Sequence, residues 1–206
     1  MNKREMVIFI GPPTSGKSSA ATLVANDIGA NLVRGRDIVP EQTENYGSFR
    51  NLIPDNLFIP RLSLLLAKLN GSIVFDNIPR TGKQADYLIS LSGYSIITFL
   101  LQLSENEVIE RTKERLACPV CGETFHPNLK PSRIPGLCDK DSNALTIRPG
   151  DKDIEIVIKG YQQYVRLVGE LLPHLTQKSK IICIASSGTV RETYRLIMSN
   201  INGIND

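Results

Sequence analysis

A glycine-rich loop directly after an apolar run constrains this chain more than any other feature. Residues 6–10 read MVIFI and residues 11–18 read GPPTSGKS, which satisfies the pattern G-x-x-x-x-G-K-[ST] between a strand and a helix. In such a loop the backbone N–H groups cradle phosphate oxygens, aided by the positive end of the following helix dipole. Lys17 would reach the terminal phosphates and the hydroxyl of Ser18 would bind Mg²⁺. The sequence therefore predicts a phosphate-binding loop.

Short apolar runs alternate with helix-like segments along the whole chain. The runs lie at residues 6–10, 72–76, 95–101 and 180–185, with a weaker one at 31–33. Helices are predicted at residues 16–28, 60–69, 81–91, 104–116, from 153 to near Pro173, and 189–200. Nearly continuous apolar strands separated by helices are typical of a parallel sheet covered on both faces. We therefore expect an open α/β fold with five parallel strands that binds ligands at their carboxyl ends.

Two segments do not fit this alternation and are predicted to be insertions above the binding edge. Residues 35–60 are rich in polar residues and prolines, and residues 117–150 contain three of the four cysteines. The core would then comprise residues 1–34, 61–116 and 151–206.

The composition is that of an ordinary globular protein. Hydrophobic residues make up 41% of the chain, charged residues 22%, and the net charge is +3. This modest charge gives no reason to expect a nucleic-acid or membrane partner, although it suits a small anionic substrate. The first apolar run is interrupted by Gly11-Pro12-Pro13, which is too early for a signal peptide, and no later run is long enough to span a bilayer. A cytoplasmic location is therefore expected.

A second motif begins at the end of a predicted strand. Asp76 follows Ile73-Val-Phe75, where an acidic residue of a phosphate-loop protein orients Mg²⁺. Residues 76–84 read DNIPRTGKQ, which resembles the segment D-G-F-P-R-T-x-x-Q of adenylate kinases. The spacing from the loop to Asp76, the cysteine segment and the chain length also match the long-lid form of that family. The resemblance covers nearly the whole chain.

This resemblance implies a fold, an activity and a set of site residues. The implied fold is that of P-loop NTPases, with an inserted monophosphate-binding lobe at residues 35–60 and a zinc-bearing lid at residues 117–150. The implied activity is reversible, Mg²⁺-dependent phosphoryl transfer between ATP and AMP to give two ADP, by a monomer. The ATP-binding residues would be Gly11, Pro13, Thr14, Ser15, Gly16, Lys17, Ser18, Ser19, Arg111, Arg115, Thr124 and Phe125. The AMP-binding residues would be Gly35, Arg36, Asp37, Asn51, Leu52, Ile53, Asn77, Pro79, Arg80, Gln84, Arg148 and Lys159.

Individual roles follow from the same resemblance. Arg80 would hold the AMP phosphate, Gln84 would read adenine, and Arg111 would lie near the ATP adenine. The catalytic cations would be Lys17, Arg80, Arg115, Arg148 and Lys159, because phosphoryl transfer mainly requires positioning and neutralisation of charge.

The chain departs from the family pattern in the segment that holds AMP. S-T-G-D-x-x-R aligns with residues 34–40, RGRDIVP, so that Gly35 replaces the threonine and Pro40 replaces the arginine. We hypothesise that Arg34 or Arg36 compensates for the lost phosphate contact. In addition, Thr14 and Asn77 replace glycines, and Lys159 replaces a lid arginine. These changes leave open an acceptor other than AMP.

Three cysteines and an aspartate repeat one spacing. Cys118 and Cys121 are separated by two residues, and so are Cys138 and Asp141. Zinc accepts a carboxylate beside thiolates, and zinc-bearing adenylate kinases have such a Cys-Cys-Cys-Asp set. His126 is the alternative fourth ligand. A closed site of four ligands would make the zinc structural, whereas Cys183 is predicted to be a buried core cysteine.

A function from another class is an alternative hypothesis. The chain would be a P-loop ATPase or nucleotide sensor whose zinc lobe binds a partner. The three predicted arginines Arg80, Arg115 and Arg148 argue against it, because a sensor does not need arginines that converge on a transferring phosphoryl group.

Overall fold

The central sheet has five parallel strands. The computed structural model describes residues 4–38 and 52–205. Counting a second, two-stranded sheet, the strands in chain order are β1 Arg4–Ile10, β2 Asn31–Arg34, β3 Ile73–Asp76, β4 Tyr94–Gln102, β5 Leu116–Ala117, β6 Thr124–Phe125 and β7 Ser179–Ala185. Within the described residues β2-β3-β1-β4-β7 form the large sheet, and β5 pairs with β6. All five predicted strands and their parallel arrangement are confirmed.

Helices cover both faces of the sheet. They are α1 Lys17–Asp27, α2 Gly35–Ile38, α3 Asp55–Leu66, α4 Gly82–Ser90, α5 Glu105–Lys113, α6 Ile154–Leu175 and α7 Val190–Asn205, with a 3-10 turn at Pro149–Asp151. Alternate residues of β1 enter opposite cores: Met6 and Ile8 pack with Phe75 on one face, and Val7 and Phe9 face the other. Burial on both faces explains why β1 is apolar at every central position. In the described part of the chain, no helix combines the length and hydropathy needed to cross a membrane.

Helix α3 begins five residues earlier than the sequence predicted. The Pro54 carbonyl accepts hydrogen bonds from the N–H groups of Leu57 and Phe58, and the helix continues through Pro60. Proline removes one backbone hydrogen bond inside a helix. Phe58 and Leu62 lie on either side of it and are both buried in the core. We attribute the continuation of the helix to the burial of these two side chains.

The prediction that Cys183 is buried is wrong. The thiol lies on β7, where the side chain is exposed. This strand is the last in the described sheet, so it pairs with β4 alone, and several of its side chains are only partly buried. The apolar sequence of β7 gave no indication of its edge position.

Candidate functional site

The phosphate-binding loop connects β1 to α1. Thr14 and Gly16 have φ values of 61° and 78°, in the left-handed region that side chains rarely adopt. A Cβ at Gly11 would lie 2.6 Å from the Ser15 hydroxyl and 3.0 Å from Cβ of Leu101, so a larger residue would displace its neighbours. Helix α1 begins at Lys17, and its positive end therefore faces the loop. The backbone geometry is that of an anion cradle.

Lys17 lies inside a cluster of cations. Its ammonium donates to the Pro12 carbonyl at 3.1 Å. Burial lowers the pKa of Lys17 to about 8; Asp76 opposes this shift, and Arg115 and Arg80 add to it. Burial also lowers the pKa of Arg80 to about 10. Crowded and desolvated cations of this kind are stabilised when an anion binds among them.

Ser18 and Asp76 offer oxygen ligands at the edge of the sheet. The Ser18 hydroxyl donates to Oδ1 of Asp76 at 3.0 Å. Asp76 ends β3 and is 6% exposed. A hydroxyl and a carboxylate are ligands that Mg²⁺ prefers, directly or through water. These two side chains therefore fit the predicted magnesium position.

A cavity of 750 Å³ lies on one side of the loop. Of the predicted ATP-binding residues, the following line it: Pro13, Thr14, Ser15, Gly16, Lys17, Ser18, Ser19, Arg111, Arg115, Thr124 and Phe125. Gly11 is not part of this wall and acts through the close approach to Ser15. We call this space the donor cavity.

The two arginines of the donor cavity are held in place. Arg111 donates to the carbonyls of Thr14 at 3.3 Å and Gly188 at 3.2 Å, and so connects α5 to the loop. Arg115 donates from Nε to Asp151 at 2.8 Å, and a second hydrogen bond joins its Nη2 to the same carboxylate. The side chains of Arg115 and Asp151 are 16% and 8% exposed. Both guanidinium groups are therefore preorganised.

A second cavity, of 820 Å³, lies on the other side of Lys17 and Ser18. Seven of the predicted AMP-binding residues line it, namely Gly35, Leu52, Ile53, Asn77, Arg80, Gln84 and Arg148. Lys159 instead lines the donor cavity and is 70% exposed beside Glu155. Asp37 accepts a hydrogen bond from the Arg34 N–H. Asn51, Pro40 and the side chain of Arg36 lie outside the described residues, and Pro79, although described, lines neither cavity. We call this space the acceptor cavity.

Gln84 is buried in the wall of the acceptor cavity. Its amide nitrogen donates to Asp55 at 3.0 Å, and its amide oxygen accepts from the Arg80 N–H at 2.9 Å. Asp55 also accepts from Thr81, which caps α4. Sequence reasoning missed Asp55, because a helix predicted to begin at residue 60 leaves this aspartate in a loop.

The two cavities share part of their walls. Eight residues line both: Lys17, Ser18, Ser19, Asn77, Arg80, Thr124, Arg148 and Pro149. Three of them are cations, and Lys17 belongs to the phosphate-binding loop. Ligands in the two cavities would thus meet beside Lys17, Arg80 and Arg148.

The predicted zinc ligands lie together. One ligand atom from each of Cys118, Cys121, Cys138 and Asp141 lies within 4.8 Å of the others. Oδ2 of Asp141 is 3.3 Å from Sγ of Cys118, and Sγ of Cys121 is 3.5 Å from Sγ of Cys138. Three sulfurs and a carboxylate oxygen form a donor set that suits zinc.

Two matching turns hold these ligands. The N–H of Gly122 donates to the Cys118 carbonyl, and the N–H of Ser142 donates to the Cys138 carbonyl, at 3.0 and 2.9 Å. Gly122 and Ser142 both have positive φ, 71° and 58°. The Cys138–Asp141 pair therefore folds like the Cys118–Cys121 pair.

The His126 imidazole has partners outside the metal cluster. Its Nδ1 accepts hydrogen bonds from the N–H groups of Asn128 and Leu129, and its Nε2 lies 3.6 Å from Glu114. His126 lines the donor cavity and does not belong to the metal cluster. This arrangement favours Asp141 over His126 as the fourth ligand.

Residues other than the predicted ATP-binding residues also line the donor cavity. They are Thr112, His126, Leu129, Lys130, Pro149, Gly150, Asp151, Ile156, Val157, Gly160, Gln163, Gly188, Val190, Thr193, and Asn77, Arg80, Arg148 and Lys159 from the acceptor or catalytic predictions. Gln163 and Thr193 lie on α6 and α7 and belong to no motif in the sequence. Only the packing of these helices brings them to the cavity.

Comparisons with known proteins agree with this geometry. A family model described as the active site lid of adenylate kinase matches residues 115–149. An adenylate kinase of Treponema denticola is 30% identical over 190 residues, which cover 86% of this chain and 90% of the relative. One of Pyrococcus horikoshii is 26% identical over 208 residues, 93% of each chain. One of Thermococcus gammatolerans is 24% identical over 217 residues, 97% of this chain and 95% of the relative.

Proposed function

This chain belongs to the adenylate kinase family, and on that premise we propose that it transfers the terminal phosphoryl group of ATP to AMP, giving two ADP. The observation that carries the proposal is the pair of cavities that share a wall containing Lys17, Arg80 and Arg148. A nucleoside monophosphate kinase needs two nucleotide sites whose phosphate ends meet. Three cations, Lys17, Arg80 and Arg148, lie at that junction.

The residues at the junction would act by positioning and by charge neutralisation. The loop N–H groups and Lys17 hold the terminal phosphates of ATP, with Arg111 and Arg115 along the same cavity. Arg80 holds the phosphate of the acceptor, and its burial beside Lys17 strengthens its attraction for that anion. Arg148 is exposed and lines both cavities, where it can approach the phosphoryl group in transit.

Mg²⁺ would be held through Ser18 and Asp76. When bound with ATP it neutralises charge on the phosphate oxygens. Zinc, held by Cys118, Cys121, Cys138 and Asp141, would be structural, since four protein ligands leave no open position.

The chain is proposed to act as a core with two inserted lobes. The core comprises residues 1–34, 61–116 and 151–206, the monophosphate-binding lobe residues 35–60, and the lid residues 117–150. Helix α3 crosses the boundary at residue 60, so this lobe and the core share one helix. A monomer, a cytoplasmic location and the absence of nucleic-acid and membrane partners stay predictions.

A kinase of another nucleoside monophosphate is the second candidate. Gly35 lines the acceptor cavity, and a Cβ built on it meets no atom of the described residues within 4 Å. Within that part of the chain nothing takes the place of a threonine side chain, which changes the acceptor side and leaves the donor side unaltered.

An acceptor panel tests the proposal. Phosphoryl transfer from Mg·ATP to AMP, CMP, UMP and GMP is measured by the formation of ADP and of each diphosphate. We expect AMP to have the highest kcat/KM. A higher value for another monophosphate would favour the second candidate, and ATP hydrolysis without transfer would indicate a P-loop ATPase or sensor.

A further inference from the structure

We propose that Arg34 binds the phosphate of the acceptor nucleotide and so replaces the arginine that the family has at the position of Pro40. This inference rests on the proposed function and identifies a residue of its acceptor site. It concerns Arg34, one of the two arginines, Arg34 and Arg36, that the sequence leaves as alternatives.

The position of Arg34 follows from the pairing of two strands. Arg34 ends β2 and lies in register with Asp76, the last residue of β3. Its Nε is 3.8 Å from Oδ2 of Asp76, and its Nη2 donates to the Thr22 hydroxyl on α1 at 3.0 Å. The side chain is 25% exposed and lines the acceptor cavity. Two elements of the core thus hold the guanidinium at the cavity wall.

Arg34 lies at the phosphate end of the acceptor cavity. The other carboxylate oxygen of Asp76 accepts a hydrogen bond from Ser18 of the phosphate-binding loop. One carboxylate therefore lies between Arg34 and the loop. The cavity also has apolar wall residues, Leu52, Ile53 and Phe58, which suit a base. A cation at the loop end is suited to a phosphate rather than to a base.

The contacts of Arg34 leave part of its guanidinium available. Among the described residues, the side chain has one hydrogen bond, to Thr22, and one ion pair, with Asp76. The 3.8 Å separation from Asp76 exceeds a hydrogen bond. A guanidinium has five N–H donors in a planar fork, and the remaining ones match phosphate oxygens. Beside Arg80, Arg34 would supply a second arginine to the acceptor phosphate.

The test compares Arg34→Met with wild type in the zinc-loaded, full-length protein. Methionine keeps an apolar stem and removes the charge. We expect KM for the best acceptor of the panel to rise about tenfold to a hundredfold, because a hydrogen-bonded charge is lost, while KM for ATP stays within about twofold. Arg34→Lys should restore part of the affinity, since it keeps the charge but not the fork. Arg166→Met is the matched control, as Arg166 is 71% exposed on α6 and lines neither cavity.

Calorimetric binding of the monophosphate and of its nucleoside shows whether Arg34 contacts the phosphate or the rest of the nucleotide. Arg34→Met should weaken binding of the monophosphate and leave that of the nucleoside unchanged. Equal binding of the monophosphate by Arg34→Met and wild type would overturn the proposal for Arg34. So would a change confined to kcat or to the Mg²⁺ requirement, because it would mean that Arg34 only neutralises Asp76. If the monophosphate binds in a manner that depends on Arg34 but receives no phosphoryl group, the proposed kinase activity is refuted. The role of Arg34 in binding phosphate would remain.

Discussion

The ammonium of Lys17 is charged only within a limited pH range. Burial is the largest cause that lowers its pKa, to about 8, and neighbouring Arg115 and Arg80 contribute in the same direction. A lysine in this position binds phosphate strongly when protonated, since little water competes for it. The same burial makes the proton easier to lose.

This shift predicts an alkaline limit to activity. The pH dependence of kcat/KM reports ionisations of the free enzyme. Because the pKa of Lys17 is lowered to about 8, its charge is present below that pH and lost above it. We expect kcat/KM for Mg·ATP to fall by about tenfold per pH unit well above this value.

The control for this prediction is Lys17→Arg. Its guanidinium stays charged throughout the range, so the variant should be less active but lack the alkaline fall. An identical fall in wild type and Lys17→Arg would assign the limit to another group.

At the residue scale, the sequence predicted the residues whose identity and spacing define a motif. Lys17, Ser18 and Asp76 are of this kind, and the structure brings them together. The contact of Arg34 with Asp76 was not predictable, because residues 42 apart along the chain meet only through the register of β2 on β3. Asp55 was missed for a similar reason, since its partners Thr81 and Gln84 belong to another helix.

At the scale of elements, local signals placed most helices within a few residues. Helix α5 shows why: Ser104 and Glu107 form a capping box, in which each side chain bonds to the other residue's backbone N–H. The signal is local, so sequence alone identifies it. Helix α3 was misplaced because the burial of Phe58 and Leu62, which carries it through Pro60, depends on tertiary packing.

The capping box predicts a measurable loss of stability. Ser104→Ala removes the acceptor for the Glu107 N–H, and we expect the free energy of unfolding to fall by about 0.5–2 kcal/mol. Chemical denaturation followed by circular dichroism measures this. Ser63→Ala is the control, because Ser63 lies exposed inside α3, where alanine is the better helix former. Equal losses in both variants would mean that the cap contributes nothing specific.

The metal cluster makes a prediction about two neighbouring aspartates. Asp141→Asn should lower the zinc content from about one per chain and lower the melting temperature, because it weakens a ligand. Asp139→Asn should keep its zinc, since Asp139 is exposed and accepts only from the Arg133 N–H among its described contacts. His126→Ala should also keep it. Metal analysis of each variant, purified without chelators, measures the zinc content. Loss of zinc in His126→Ala alone would reverse the ligand assignment.

At the scale of the whole molecule, the sequence predicted the sheet, its five strands and the location of the ligand cavities. These features follow from apolar patterning and from the handedness of strand–helix–strand units. The exposure of Cys183 was not predictable, because the order of strands in the sheet is not written in the pattern of any one strand. Gln163 and Thr193 join the site only through the packing of α6 and α7.

An ion pair connects the two ends of the proposed lid. Arg115 follows α5 and lies two residues before the range 117–150, and Asp151 lies immediately after it. Asp151→Asn should lower the free energy of unfolding by about 1–3 kcal/mol, since it leaves a largely buried guanidinium poorly paired. Thermal and denaturant unfolding measure the loss. Glu170→Gln, which breaks an exposed pair with Arg166, should have little effect. Similar losses in the two variants would show that Arg115 and Asp151 do not stabilise the fold specifically.

Cys118 is both a predicted metal ligand and part of the acceptor cavity wall. It belongs to the metal cluster, and with Pro119, Gly122 and Glu123 it lines the acceptor cavity, whereas none of the four ligands lines the donor cavity. Thr124, Phe125 and His126, which follow the same cysteine pair, line the donor cavity. If zinc holds this segment in place, its loss would disturb the binding of both nucleotides. The supply of zinc would then set the fraction of the protein able to work, whatever the cellular ratio of the two nucleotides.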